Sequence, residues 1–169
     1  MKIYTLRREQ IIARPIEEAF SFFERPENLE KITPSSVGFV ILTPGPIPMH
    51  PGAVLDYTIR PMGFPIRWTT LITSYDPPHR FTDVALKGPY SYWHHTHTFE
   101  KTTQGTIMRD EVRYALPLGW IGRLVRRFWV RRQLDYIFDF RAKAIEAIFR
   151  SSSSREAGAD TADKKVKAS

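Results

Sequence analysis

The sequence predicts an α+β domain: a curved antiparallel sheet of six to seven strands wrapped around one long C-terminal helix, with two short helices after the first strand. Three observations predict it. Between residues 53 and 116, β-branched and aromatic residues fill one short segment after another, each closed by turn residues. After Pro117-Leu118-Gly119 the pattern changes to a helical period and holds it to about Phe149, roughly 45 Å of helix at 1.5 Å per residue. Proline also opens two short helical patterns near the N-terminus, at Arg14-Pro15 and Arg25-Pro26.

Residues 2–13 alternate modestly and read as a strand. Pro15 stops it and starts a helix, because proline suits a first helical turn and not its interior. Ile16, Ala19, Phe20 and Phe23 supply that helix with an apolar face. The second helical pattern runs from Pro26 through Leu29 and Ile32 and stops at Thr33-Pro34. Residues 37–42 read as a strand, while 43–52 hold too much proline for anything but a loop. Strands follow at 53–60, 66–75, 80–86, 92–102 and 106–116. Turns this short join antiparallel neighbours. So many strands with one long helix to cover them must curl around it, and a cavity remains between the two unless large side chains fill it.

With 169 residues, 42% hydrophobic and 13% aromatic, the chain is expected to form one domain over residues 1–150. Residues 151–169, four serines followed by small and charged residues, predict a disordered tail. The absence of cysteine excludes disulfides and thiolate metal sites and fits a reducing compartment. The N-terminal residues turn charged before an apolar run of secretory length accumulates, and no stretch approaches the ~18 apolar residues of a membrane span, so a cytoplasmic protein is expected. No glycine-rich phosphate loop is present, and no cofactor is expected.

The net charge of +7 is concentrated in one place. Arg123, Arg126, Arg127, Arg131 and Arg132 interleave with Leu124, Val125, Phe128, Trp129 and Val130. Such a segment faces water, an acidic partner or anionic lipid headgroups; nucleic acid is the least favoured partner on charge alone. At 100° per residue, Ile121, Leu124, Phe128, Phe138, Ala142, Ile145 and Phe149 form one stripe. Arg131 and Asp135 fall on the same line as an ion pair facing the cavity or standing in water. Trp129, Tyr136, Ile137, Phe140, Ala144 and Ile148 form a second stripe on the opposite side, which calls for a second burial partner: the two small helices, a second copy in a homodimer, or a membrane surface.

The richest segment for chemistry is Tyr92-Trp93-His94-His95-Thr96-His97-Thr98-Phe99. Side chains alternate along a strand, so Trp93, His95, His97 and Phe99 share one face and His94 takes the other. Imidazoles among large rings suit a pocket in which a few polar groups orient an apolar ligand. If that face is inward, Met108, Asp110, Val112 and Tyr114 are the matching set on the next strand, with Ile107, Arg109, Glu111 and Arg113 outward. Asp110 is then a buried acid in need of a partner, and His95 or His97 is the expected one. The comparable inward candidates elsewhere are Tyr57 with Leu55 and Ile59, Trp68 with Thr70 and Ile72, and Phe81 with Asp83. A His–Asp contact of this kind either fixes register as a satisfied polar network or serves as a general acid–base couple near neutral pH. His95 and His97 with Asp83 or Asp110 are also a metal-ligand set by type, but the spacing is weakly specific and no metal is expected. His50 and His79 lie in turns and are expected to be exposed.

In this organisation, together with Arg25-Pro26-Glu27-Asn28-Leu29-Glu30-Lys31-Ile32-Thr33-Pro34, Gly88-Pro89-Tyr90 followed by Trp93, His95, His97 and Phe99, and Gly105-Thr106 leading to Asp110, Val112 and Tyr114, the chain resembles the START-related helix-grip superfamily known as SRPBCC. The likeness covers residues 1–150 and is greatest to a bacterial ligand-binding subgroup akin to polyketide cyclase/dehydrase and lipid-transport members. It implies a fold and a hydrophobic pocket, and no particular reaction. The resulting expectation is binding or carriage of a small hydrophobic, lipid-like or polyketide-like molecule between sheet and helix. Its alternatives are a cyclase or dehydratase using His95, His97 and Asp110, and an interaction module at an anionic membrane or acidic partner. The residues expected at the ligand are Tyr57, Trp68, Thr70, Phe81, Asp83, Trp93, Phe99, Val112, Tyr114, Phe128, Arg131 and Asp135.

Overall fold

Pro15 sits where a strand gives way to a helix, as its fixed φ and missing N–H require. In the computed structural model, which describes residues 1–166, strand β1 spans Tyr4–Ile12 and helix α1 spans Ile16–Phe23. Ile16, Ala19, Phe20 and Phe23 form the buried face of α1. The second helical pattern is a tighter 3-10 turn, Pro26–Ile32, and another follows at Ser35–Val37. The strand expected at 37–42 is therefore shorter. Gly38 caps the second turn in the left-handed region (φ 58°), and only Val40–Ile41 pairs, as β2.

The remaining strands match the sequence pattern: β3 Val54–Ile59, β4 Ile66–Asp76, β5 Arg80–Lys87, β6 Tyr92–Thr102 and β7 Gly105–Ala115. They form one antiparallel sheet in the order β1-β7-β6-β5-β4-β3-β2. Register shifts in β4 at Thr69/Thr70 and Ile72/Ser74 bend it, which curves that half of the sheet. Gly105 is obligatory at the β6–β7 turn, since a Cβ there would lie 2.2 Å from the Ile12 carbonyl oxygen.

The C-terminal helix has an interruption that its composition does not reveal. Helix α2 covers Gly119–Val125, a π turn covers Arg126–Val130, and α3 runs Arg131–Val166. The backbone thus continues as helix through most of the segment whose composition predicts a disordered tail, and residues 167–169 lie outside the described ones. A π turn carries one extra residue, so it rotates α2 by about 100° relative to α3. The single stripe drawn through Ile121, Leu124 and Phe128 to Phe149 is consequently broken. Phe138, Ile145 and Phe149 are buried, whereas Ile121, Leu124 and Phe128 are exposed. Val130 and Leu134 take the inward positions instead.

Side chains of β1 and of the turn after it fix where α3 lies. Arg8 pairs with Asp135 at 2.5 Å, Gln10 Nε2 donates to the Ala142 carbonyl at 2.8 Å, and Arg14 reaches the Phe149 carbonyl at 3.3 Å. Phe138, Leu134 and Val130 then pack on Val112 and Tyr114, and Ile145 and Phe149 join Phe20, Phe23 and Phe99. The helix is held over β1, β7 and β6, and over the opposite half of the sheet a space is left between the two.

Candidate ligand-binding site

Because α3 is drawn toward β1, a cavity of about 410 Å³ opens over β3, β4 and β5. Most of its wall is aromatic or aliphatic. Tyr57 stacks on Trp68 with centroids 5.8 Å apart, and Trp93 meets Trp68 edge-on at 5.2 Å. The helix contributes Trp129, Leu134, Ile137 and Phe138. Leu118, Ile121, Val125 and Trp129 both line the cavity and reach solvent, so they mark its opening along α2 and the π turn. Gly122 permits this geometry, since a Cβ there would lie 2.1 Å from the Pro117 carbonyl oxygen.

One polar cluster interrupts the apolar wall. The β5–β6 register sets Asp83 opposite His95, and the β6–β7 register sets His97 opposite Asp110. Strand parity turns all four inward, and they close into a ring. His95 Nε2 donates to Asp110 Oδ1 at 2.9 Å. His97 Nδ1 lies 2.7 Å from the same oxygen, close enough for an ion pair but off the hydrogen-bond axis. The other nitrogens, His95 Nδ1 and His97 Nε2, stand 3.6 and 3.5 Å from Asp83 Oδ2. Asp83, His95 and His97 belong to the cavity wall, while Asp110 lies behind them.

The charge states follow from burial and proximity. Burial pushes the His95 pKa down from its ordinary value, and the neighbouring His97 pushes the same way, outweighing the two carboxylates. Burial opposes protonation of His97 as well, but Asp110 and then Asp83 overcome it and raise its pKa. For Asp110 burial is outweighed by the His97 charge and the His95 hydrogen bond, which hold its carboxyl well below the usual range. These directions place the proton of the cluster on His97 in preference to His95, on a carboxylate that stays ionised. Phe81 stacks on the His97 ring at 4.2 Å and Phe138 closes over His95 at 5.8 Å, which keeps bulk water away.

Asp83, His95 and His97 also offer three ligand atoms within 4.8 Å of one another. This set is the one metal-type group of at least three such side chains among the described residues. Its donor types fit a borderline cation, yet a metal would have to draw Asp83 and the two imidazoles out of their present contacts with one another and with Asp110.

The expected site residues divide into two groups. Tyr57, Trp68, Thr70, Phe81, Asp83, Trp93, His95 and His97 line the cavity, with the Tyr57 hydroxyl and Thr70 Oγ1 3.2 Å apart. Phe99, Val112 and Tyr114 face inward but are closed into the core around α1 and α3. Phe128 points to solvent. Arg131 and Asp135 do lie 3.9 Å apart, but outside the cavity, and Asp135 is engaged more closely by Arg8. The π turn carries Phe128 outward, whereas Arg131 and Asp135 sit on α3 itself, where Asp135 faces Arg8 of β1 and not the cavity. His50 and His79 are exposed, as expected. Sequence reasoning missed Arg141 and Gln133 on the helical wall of the cavity, because which flank of α3 faces β3–β5 depends on where the helix comes to rest on the sheet.

A deep curved sheet gripping a helix, with the cavity between them, is an arrangement known from solved structures. The chain has the helix-grip fold. TTHA0849 from Thermus thermophilus superposes with a TM-score of 0.66 at 17% identity, over 89% of this chain and 99% of that one. A point mutant of norcoclaurine synthase from Thalictrum flavum, in complex with a transition-state analogue, gives 0.65 at 16% identity over 90% and 97%. The di-domain aromatase/cyclase StfQ from the steffimycin biosynthetic pathway gives 0.69 at 13% identity, over 90% of this chain and 52% of that one. At these identities the likeness is one of fold. No protein-family model matches the helix-grip chain, and no curated protein matches it by sequence. No helix among its described residues is long and apolar enough to cross a membrane.

Proposed function

We propose that this domain binds and carries a small apolar or aromatic molecule in the cavity between sheet and helix, within a reducing, cytoplasmic compartment. The observation that carries this reading is the cavity itself: about 410 Å³, walled by aromatic and aliphatic side chains, with its ring of acids and imidazoles on one side. Volume and lining match those of small-molecule sites, in which a few polar groups set orientation and the rest supply contact area. Native mass spectrometry of the purified protein, with elemental analysis of the same sample, tests it. A co-purifying apolar molecule near one per chain is expected. A chain that emerges empty and also fails to bind the uncharged fluorophore N-phenylnaphthylamine overturns it.

A specific observation favours a second reading, a cyclase or dehydratase acting on a polyketide-like substrate. The two nitrogens on the Asp83 side stand 3.5 and 3.6 Å from its carboxylate, whereas on the Asp110 side His95 Nε2 makes a hydrogen bond of 2.9 Å and His97 Nδ1 an ion-pair contact of 2.7 Å. A substrate oxygen entering beside Asp83 would meet a proton donor at His97 and an acceptor at His95. Carriage ranks first because each ring nitrogen already faces a carboxylate.

Loading from a membrane surface belongs to the same proposal. The cavity opens among exposed apolar side chains, Leu118 at 73%, Trp120 at 64% and Phe128 at 63% exposure, next to the exposed Arg127, Arg131 and Arg132. Aromatic side chains flanked by arginines suit the headgroup region of an anionic bilayer. In a two-fold homodimer the same patch would meet itself and bring these arginines together, which favours the bilayer over a second copy.

A further inference from the structure

Apart from the histidine pair, the cavity wall contains two charged residues, Asp83 and Arg141, and they differ in one respect. Asp83 is engaged by both histidines. Arg141 makes no hydrogen bond and no ion pair among the described residues, and its Nε is buried without a partner. Its guanidinium stands over the Phe138 ring, 4.9 Å from the centroid, and its charge reaches the Tyr57 hydroxyl on the facing strand. Phe138 touches both Arg141 and His95, since the same ring also meets His95 at 5.8 Å. An arginine half-buried in an apolar cavity without a carboxylate is costly unless something in the cavity pairs with it.

We propose that the ligand is an apolar molecule bearing one carboxylate, and that Arg141 receives that carboxylate on the helical wall, across from Tyr57. This rests on the cavity being the ligand site. The planar guanidinium offers two parallel N–H donors, which match a carboxylate and strengthen where water is sparse. The apolar body then lies along Trp68 and Trp93, and the ring of Asp83, His95 and His97 is left for whatever polar group the far end of the ligand carries. The polarity of the cavity is therefore directional: a cation on the helix, a carboxylate-bearing cluster on the sheet.

The test is displacement of N-phenylnaphthylamine by naphthoic acid and by its alcohol, naphthalenemethanol, at about pH 8, where the acid is ionised. Wild-type protein is expected to prefer the acid by about tenfold. Arg141→Gln should bring that ratio to about one, and Arg141→Lys, which keeps charge but not the fork, should retain part of it. A wild-type ratio of one, or a preference that survives Arg141→Gln, overturns the inference. So does a third outcome, in which Arg141→Gln leaves the ratio intact and shifts only the histidine titration seen by NMR, because Arg141 would then be a remote counter-ion to the cluster. Failure of the fluorophore to bind wild-type protein at all removes the cavity reading itself and is distinct from these. Should Arg141→Gln not fold, the wild-type ratio and the Lys variant decide the matter.

Discussion

His95 and His97 face the same oxygen of Asp110, at 2.9 and 2.7 Å, with their ring centroids 3.8 Å apart. Two imidazoles this close would repel if both were charged. One carboxylate behind them and another in front allow a single proton to be held on His97 while His95 stays neutral.

The first prediction concerns Asp110→Asn. Asp110 is depressed in the folded state, so its contribution is present above the ordinary carboxylate value and is lost as pH falls through the folded one. His97 is raised, so its contribution is complete below its ordinary value of 6.5 and is lost as pH rises through the folded one. His95 is lowered and opposes stability as pH falls below 6.5. The ion pair between Asp110 and His97 is therefore strongest on the acid side of neutrality. Asp110→Asn should cost about 3 kcal/mol at pH 5.5, as breaking a buried pair does, and less at pH 9. Thermal unfolding of both proteins across pH measures this, and an equal loss at both ends would contradict the assignment.

Trp93 and Phe99 share one strand face but not one environment. Trp93→Ala opens the cavity wall and should weaken N-phenylnaphthylamine binding about tenfold, equivalent to about 1.4 kcal/mol of lost contact. Phe99→Ala leaves a hole among Phe20, Phe23 and Phe81 and should cost about 3–5 kcal/mol of stability while sparing affinity. Denaturant melts read beside fluorescence titrations separate the two.

His95→Gln distinguishes carriage from catalysis. Under carriage, affinity for the apolar fluorophore should change by less than about threefold, since aromatic contact supplies most of it. Under the cyclase reading, the same variant would abolish turnover of a polyketide-like substrate without loosening its binding. Unfolding of both His95→Gln and His97→Gln would leave the cluster a purely structural role.

Co-sedimentation with phosphatidylserine vesicles tests the opening. Binding should fall at least tenfold between low and high salt, and again when Arg127, Arg131 and Arg132 are replaced by Gln, at about 1 kcal/mol per arginine. Arg126 is left out because it is committed elsewhere, over the Tyr4 ring at 3.6 Å and to the Tyr114 hydroxyl at 3.2 Å. Binding indifferent to both salt and these arginines would refute membrane loading.

The sheet was legible from the chain alone because its code is local. Alternation, turn residues and parity act over a few positions, and parity predicted that Asp110 would meet the histidines of the next strand. The same reasoning placed Trp68, Thr70, Asp83 and Trp93 on one inner face, where they do line the cavity. It failed for Phe128 because an uninterrupted 100° period was assumed through Arg126–Val130, where a π turn adds a residue, and for Arg131 and Asp135 because the pairing of Asp135 with Arg8 sets that flank of α3 toward β1.

By itself, then, the sequence determined the α+β class, the strand order along the chain, the inward set on each strand and the concentration of arginines near one end of the helix. Only the tertiary structure decided the phase of that helix, the existence of an open cavity and the uncommitted charge of Arg141 inside it. These depend on where α3 comes to rest, which Arg8 and Gln10 of β1, with Arg14 just beyond it, settle from more than a hundred residues away in the chain. Local pattern specifies which side of an element is apolar, whereas the distance between two elements follows from all the contacts that hold them together.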